Sequence, residues 1–175
     1  MEPLTPEQWE EQLTSCKQSA SHMEMRDWYA ADDEKERFER FLATGRRDHA
    51  AEYPERRHWL ELMRRVTGAG VRVRRVRVVS EPVSRYIAFE WHGAEPSIEA
   101  GEDVRWLPRR LASGIALPGN DFWLLDERRV MFNHFSGHGT PLGQEITGEP
   151  ATVELCRAAF EAAWKLAIPH HEYRI

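Results

Sequence analysis

Residues 71–79, Val-Arg-Val-Arg-Arg-Val-Arg-Val-Val, constrain the fold of this chain more than any other stretch. Their β-branched content predicts a strand. The alternation changes phase partway: Val71 and Val73 point one way, Val76 and Val78 the other. A bulge near Arg74-Arg75 is the expected device for restoring a single core-facing side. Ser80-Glu81-Pro82 then opens a predicted helix to about His92, carrying Tyr86, Ile87, Phe89 and Glu90. Strand, turn and helix in that order predict the start of a βαβ unit.

Upstream, Thr5-Pro6-Glu7-Gln8 has the form of a capping box with proline at the first helical position, and Trp9, Leu13 and Cys16 recur on one face. The expectation is a helix over residues 6–18. Residues 19–26 predict a short strand with Met23 and Met25 on one side and His22, Glu24 and Arg26 on the other. Asp32-Asp33 offers an N-cap to a helix bearing Phe38, Phe41 and Leu42, which should end at Thr44-Gly45. Residues 46–52 are charged and predict a loop. Pro54 restarts a helix buried through Trp59, Leu60, Leu62, Met63 and Val66 and stopped by Gly68-Ala69-Gly70.

Downstream, strands are predicted at 103–107, 122–125 and 130–135, the last two as a hairpin through residues 126–129, with 144–147 as an edge strand. A closing helix spans 150–167, with Val153, Cys156, Phe160, Ala163, Trp164 and Ala167 on its buried stripe and Pro169 beyond it. The whole predicts one α/β (α+β) domain over residues 1–175: a single central mixed sheet of about five to seven strands flanked by helices. At 175 residues and 41% hydrophobic, the chain has the apolar content for that one core.

No apolar run approaches the ~20 residues that span a bilayer, and the acidic, polar start lacks the form of a secretory signal. A cytoplasmic protein with no membrane partner is expected. Cys16 and Cys156 lie in separate helical patterns and predict buried, reduced thiols. Arginine outnumbers lysine 21 to three, a skew that suggests a GC-rich genome such as an actinomycete's. The net charge of −5 argues against strong non-specific DNA binding, so direct nucleic-acid contact is not the expected role.

Catalytic signals are sparse. Arg64, Arg65, Arg72, Arg74, Arg75 and Arg77 form the largest cluster of one sign, expected as a solvated sheet face paired with glutamates. His134 and His138, with His92 and Asp126, lack the helical spacing of a metal site, so neither metal nor cofactor is expected. Gly137 and Gly139 match no phosphate-binding fingerprint, and no Gly-x-Ser-x-Gly elbow exists. Glu99, Glu102 and Asp103 predict a polar loop before a strand, and Trp91, Trp106 and Trp123 predict packing residues.

Four segments carry a resemblance. They are His22-Met23-Glu24-Met25-Arg26-Asp27, Val73-Arg74-Arg75-Val76-Arg77-Val78-Val79-Ser80-Glu81-Pro82, Glu99-Ala100-Gly101-Glu102-Asp103-Val104-Arg105-Trp106-Leu107-Pro108 and Leu117-Pro118-Gly119-Asn120-Asp121-Phe122-Trp123-Leu124-Leu125-Asp126. Together they resemble an uncharacterised, Streptomyces-type actinobacterial family of unknown function, whose members resemble companions of helix-turn-helix regulators. A weaker resemblance is to one half of the phospholipase D-like fold, whose catalysis uses His-x-Lys followed by Asp. No lysine lies between Lys35 and Lys165, so that resemblance implies an inert copy whose old active-site edge is free to bind.

The expected function is therefore a non-catalytic effector or partner-binding protein working with a helix-turn-helix regulator, with a small-molecule ligand as a further partner. Its site is expected at the strand ends and loops near Arg85, Glu90, Arg105, Asp121 and His134. The alternatives are an unrecognised hydrolase or nuclease-like toxin using His134, Glu90 or Asp126, and a nucleic-acid binder acting through Arg72 and Arg74.

Overall fold

Three parallel strands form the centre of the sheet: β1 (Ser19–Glu24), β2 (Arg72–Val79) and β3 (Asp103–Pro108). β4 (Asp121–Leu125) runs antiparallel beside β1, and β5 (Arg129–Phe135) and β6 (Pro141–Thr147) continue outward from it. β7 (Ile168–Pro169) lies against the far edge of β3, so the order is β6-β5-β4-β1-β2-β3-β7. The computed structural model describes residues 4–175. The seven-stranded mixed sheet flanked by helices is the predicted class.

One face of the sheet is covered by α6 (Pro150–Leu166). Met23, Val76, Val78, Phe122, Leu124 and Val130 meet Val153, Cys156, Phe160 and Ala163 there. The other face carries two separate apolar clusters. α1 (Pro6–Thr14) and α3 (His49–Gly68) close the first, with Leu13, Leu60, Met63 and Val66 against Ala20, Val73, Trp123 and Met131. α2 (Lys35–Thr44) and α4 (Arg85–His92) close the second, where Phe41, Tyr86, Ile87 and Phe89 meet Val79, Val104 and Trp106. Cys16 and Cys156 are buried and unbonded, in different clusters.

β2 contains no bulge: it pairs residue for residue with β3 from Arg74 to Val79 and with β1 from Arg72 to Arg77. Helices cover both faces, so valine is needed on both, and the phase change in the sequence does not mark a kink. Val73, Arg75, Arg77 and Val79 face α3 and α4; Arg74, Val76 and Val78 face α6.

Local chemistry shifts several element ends. The capping box at Thr5 and Gln8 is formed, but α1 stops at Thr14 rather than Gln18. Beyond it, the backbone N–H groups of Lys17, Gln18 and Ser19 donate to the Asp126 carboxylate, which sets the start of β1. α3 begins at His49, inside the expected loop, because Asp48 accepts from the Ala51 N–H and caps it; Pro54 lies within the helix. α4 begins at Arg85 rather than Ser80. Ser80 is held by Asp27 through its N–H at 2.8 Å and its hydroxyl at 2.6 Å, and Ser84 supplies the cap. α5 (Glu95–Glu99) and β7 were not expected, being one turn and two residues long. β6 starts at Pro141, three residues before the predicted edge strand. Among the described residues no helix is long and apolar enough to cross a membrane.

Candidate functional site

Between the two apolar clusters, the α3–α4 side of the sheet turns polar. His22 and Glu24 on β1 stand beside Arg75 and Arg77 on β2 in register. Of the arginine cluster expected to be solvated, Arg64, Arg65 and Arg72 are exposed, but Arg74, Arg75 and Arg77 are not. Arg74, Arg75 and Arg77 keep 12% or less of their side-chain surface. Glutamate pairing holds as expected, in an interior setting. Arg75 reaches Glu24 and Glu102, each at 2.7 Å, and Arg77 lies 3.0 Å from Glu24 and also pairs with Glu90 of α4. Glu24 bridges both arginines. Glu102, expected in a polar loop, is the partner that closes this lattice.

Aromatic rings wall the lattice. The His22 imidazole stacks on Trp123 at 4.1 Å between centroids, and Arg75 lies over Trp59 and Trp123. Burial, then the charges of Arg75 and Arg77, hold His22 well below its ordinary pKa, so it is neutral. Burial opposes the charge on Arg75, but Glu102 and Glu24 outweigh it and raise its pKa. The lattice joins two arginines to three carboxylates in one fixed geometry, which suits a rigid wall better than a reacting group.

A cavity of about 380 Å³ opens onto this wall. Its rim adds Trp9 from α1, Glu34 from the short turn Asp32–Glu34, Arg37 from α2, and Arg56 and Trp59 from α3. Arg56, Trp59 and Met63 fall at i, i+3 and i+7, so the helix that buries Met63 also aims the other two at the cavity edge. Arg47 is locked by Glu52 at 2.8 Å and by the Phe89 carbonyl at 2.9 Å. Arg56 donates to the Gly93 carbonyl at 2.8 Å and to Ser97 Oγ at 3.3 Å. Burial, then the Glu90 charge, push Glu34 up to about 7, while the Tyr86 hydroxyl donates to it at 2.5 Å.

The structure does not bring the five predicted site residues together. Glu90 lines the cavity. Asp121 lies on the same sheet face, at the strand end, where it accepts from the Met25 N–H and the Tyr29 hydroxyl; burial pushes it up to about 6. Arg85 is exposed on α4 and donates to the Leu42 carbonyl. Arg105 lies on the α6 face, its guanidinium 4.0 Å from the Trp164 ring centre. His134 also points to that side, 3.4 Å from Glu145. Asp126 is a structural hub: against the upward push of burial, the N–H groups of Ser19, Gln18 and Lys17 hold its carboxyl below the ordinary range. Sequence reasoning missed His22, Arg56, Trp59, Arg75 and Arg77 as site residues. The signal that marks two of them is the break in valine alternation.

Among solved structures, a phospholipase D family member, Nuc from Salmonella typhimurium, has the same fold. Its TM-score is 0.51 at 13% identity, over 95% of this chain and 88% of that one. NucT from Helicobacter pylori reaches 0.48 at 10% identity, covering 91% and 87%. TrmBL2, an archaeal chromatin protein, reaches 0.48 at 10%, covering 91% of this chain and 49% of its own. No curated protein matches the sequence. A family pattern spans residues 7–175 and includes all four segments that carried the resemblance, so the chain belongs to the family described as a domain of unknown function, DUF6879.

Proposed function

We propose that this chain is a non-catalytic effector- and partner-binding protein that receives a small molecule in the cavity beside Arg75 and Arg77 and works with a helix-turn-helix DNA-binding regulator. The observation that carries the reading is the cavity itself, a space of ligand size whose wall is a fixed lattice of ion pairs and indoles. The regulator is the partner that the family resemblance suggests. A cytoplasmic site is supported by the two unbonded thiols, and an actinobacterial source by the preference for arginine over lysine.

A hydrolytic reading has one support, the fold shared with a phospholipase D family member. Against it, none of the eight histidines of this sequence is followed two residues later by lysine. Asp126 and His134 are engaged in turn and strand contacts. Phosphodiester substrates should remain intact on incubation with the protein. A nucleic-acid surface through β2 is disfavoured because Arg74 is buried against Phe160 and paired with Glu161 at 2.7 Å.

The test is affinity capture from the native cell, read by mass spectrometry against an Arg85→Ala, Asp121→Ala double variant. Recovery of a helix-turn-helix protein by the wild type, and its loss with the variant, is the expected result. Recovery of no such protein by either would remove the regulatory partner from the reading.

A further inference from the structure

Five arginines line the cavity, and among the described residues four of them have a carboxylate in ion-pair reach. Arg37 has Asp33 and Glu55, Arg47 has Glu52, and Arg75 and Arg77 share Glu24 and divide Glu102 and Glu90 between them. Arg56 has none. Its two recorded acceptors are a carbonyl and a hydroxyl, Gly93 O and Ser97 Oγ. The C-terminal end of α4 offsets part of its charge, but a helix end supplies only a fraction of a unit charge. Burial, then the neighbouring Arg47, lower the Arg56 pKa, and the more distant charges of Glu90 and Glu52 offset this only in part.

Ser97 makes the same point from the acceptor side. Its Oγ receives hydrogen bonds from both Arg56 Nη2 and Trp59 Nε1, each at 3.3 Å, and the residue is 7% exposed. A hydroxyl that accepts twice still has one proton to donate. That proton finds no acceptor among the described residues, and Ser97 lines the cavity. Gly93 completes the corner: a Cβ there would stand 2.3 Å from Arg47 Nη1, so the absence of a side chain lets two guanidinium groups converge on this rim. Trp9 and Trp59, both half-buried, 5.7 Å apart and tilted 48° to each other, supply an adjoining aromatic wall.

We propose that the cavity binds a small organic anion, a carboxylate or phosphate carried on an apolar or aromatic body. The acidic group sits on Arg56 and the Ser97 hydroxyl, and the body lies against Trp9 and Trp59. Two oxygens of a carboxylate or of a phosphate can accept from the N–H groups that a guanidinium leaves free, which bind both kinds of acid. This inference rests on the cavity being a ligand site and adds the charge and shape of what enters it.

The experiment is calorimetric titration of the full chain with phenylacetate, phenyl phosphate, inorganic phosphate and the neutral isostere 2-phenylethanol. The two aromatic acids should bind about tenfold or more tighter than 2-phenylethanol, the worth of a hydrogen bond to a charged group. The stronger of the two identifies the acid. Inorganic phosphate should bind weakest of the anions, since it lacks a body for the indoles. Arg56→Gln should abolish the preference for acid over alcohol, Arg56→Lys should keep part of it, and Ser97→Ala should weaken the acids alone. If Arg56→Gln does not fold, the Ser97→Ala and Arg56→Lys titrations decide the matter. Equal binding of acid and alcohol, or acid binding untouched by the Ser97 and Arg56 variants, would overturn the proposal and leave the cavity a ligand site of other chemistry. Binding of no probe at millimolar concentration would overturn both.

Discussion

The two faces of the sheet are closed in opposite ways. Under α6, one continuous apolar layer runs from Val130 to Leu107, and its buried charge, Arg74, is turned onto the Phe160 and Trp164 rings and paired at the edge with Glu161. Under α3 and α4, the apolar layer is split in two by His22, Glu24, Arg75 and Arg77. Burial of apolar area stabilises at roughly 25 cal/mol per Å², whereas a buried ion pair returns little beyond its own desolvation cost. The first face accounts for stability. The second holds a polar wall in place at some expense of stability, which is a reason to look there for function.

The sharpest way to break this contrast is to damage each face in turn. Phe160→Ala empties the centre of the α6 face, where the ring is 0% exposed, and should cost about 4 kcal/mol in urea unfolding. That loss should be the same at mildly acidic and neutral pH. Arg77→Met leaves Glu90 without its arginine and Glu24 with Arg75 alone, and should cost about 3 kcal/mol at neutral pH. Here acidification should restore much of the loss, because an orphaned buried carboxylate is relieved by taking up a proton. If both variants showed the same pH response, the two faces would not differ as described.

The wild type should carry a milder version of that response. Glu34 is raised from 4.5 to about 7 and Asp121 from 3.8 to about 6, both chiefly by burial. In the folded chain these groups keep protons that the unfolded chain has already released. Their contribution to stability is therefore complete below the ordinary carboxylate values and is lost as pH rises through about 6 and then about 7. Thermal unfolding followed across that range should show the decline, and Glu34→Gln should flatten its upper part by about 1 kcal/mol. Because the neutral His22 acts in the opposite sense below the ordinary histidine pKa, the comparison decides: a Glu34→Gln profile parallel to the wild type's would show that Glu34 is not held protonated.

The smallest effect belongs to Arg105, whose guanidinium lies over Trp164 on the α6 face. Arg105→Ala should cost less than about 1 kcal/mol and leave ligand titrations unchanged, since it removes a half-exposed stacking contact remote from the cavity. A change in titration there would join the two faces functionally.

Much of the fold was legible because its signals are local. The capping box at Thr5 and Gln8, the β-branched run of β2, the Asp126 turn of the β4–β5 hairpin and the stripe of α6 each declare themselves within a few residues. The candidate site was far less so. Glu90 and Asp121 fall on the cavity face, but Arg85, Arg105 and His134 were chosen as polar residues near strand ends, and position along a strand does not say which face a side chain joins. The arginines of β2 were read as solvated because charge usually is. Arg72 is indeed exposed, but α3 and α4 bury Arg75 and Arg77 with Trp59 and Glu90, and α6 buries Arg74 with Phe160 and Glu161, partners that arrive from elsewhere in the chain.

The sequence by itself determined the class of the fold, the order of its main elements and the absence of a His-x-Lys pair, since periodicity, caps and short motifs depend only on near neighbours. The tertiary structure alone decided that β2 runs without a bulge, that Glu24 and Glu102 meet Arg75, and that Arg56 has no carboxylate partner among the described residues. Those outcomes depend on strand register and helix placement between residues tens of positions apart. A one-residue slip would exchange the arginine face for the valine face, and only packing on both sides of the sheet selects between them.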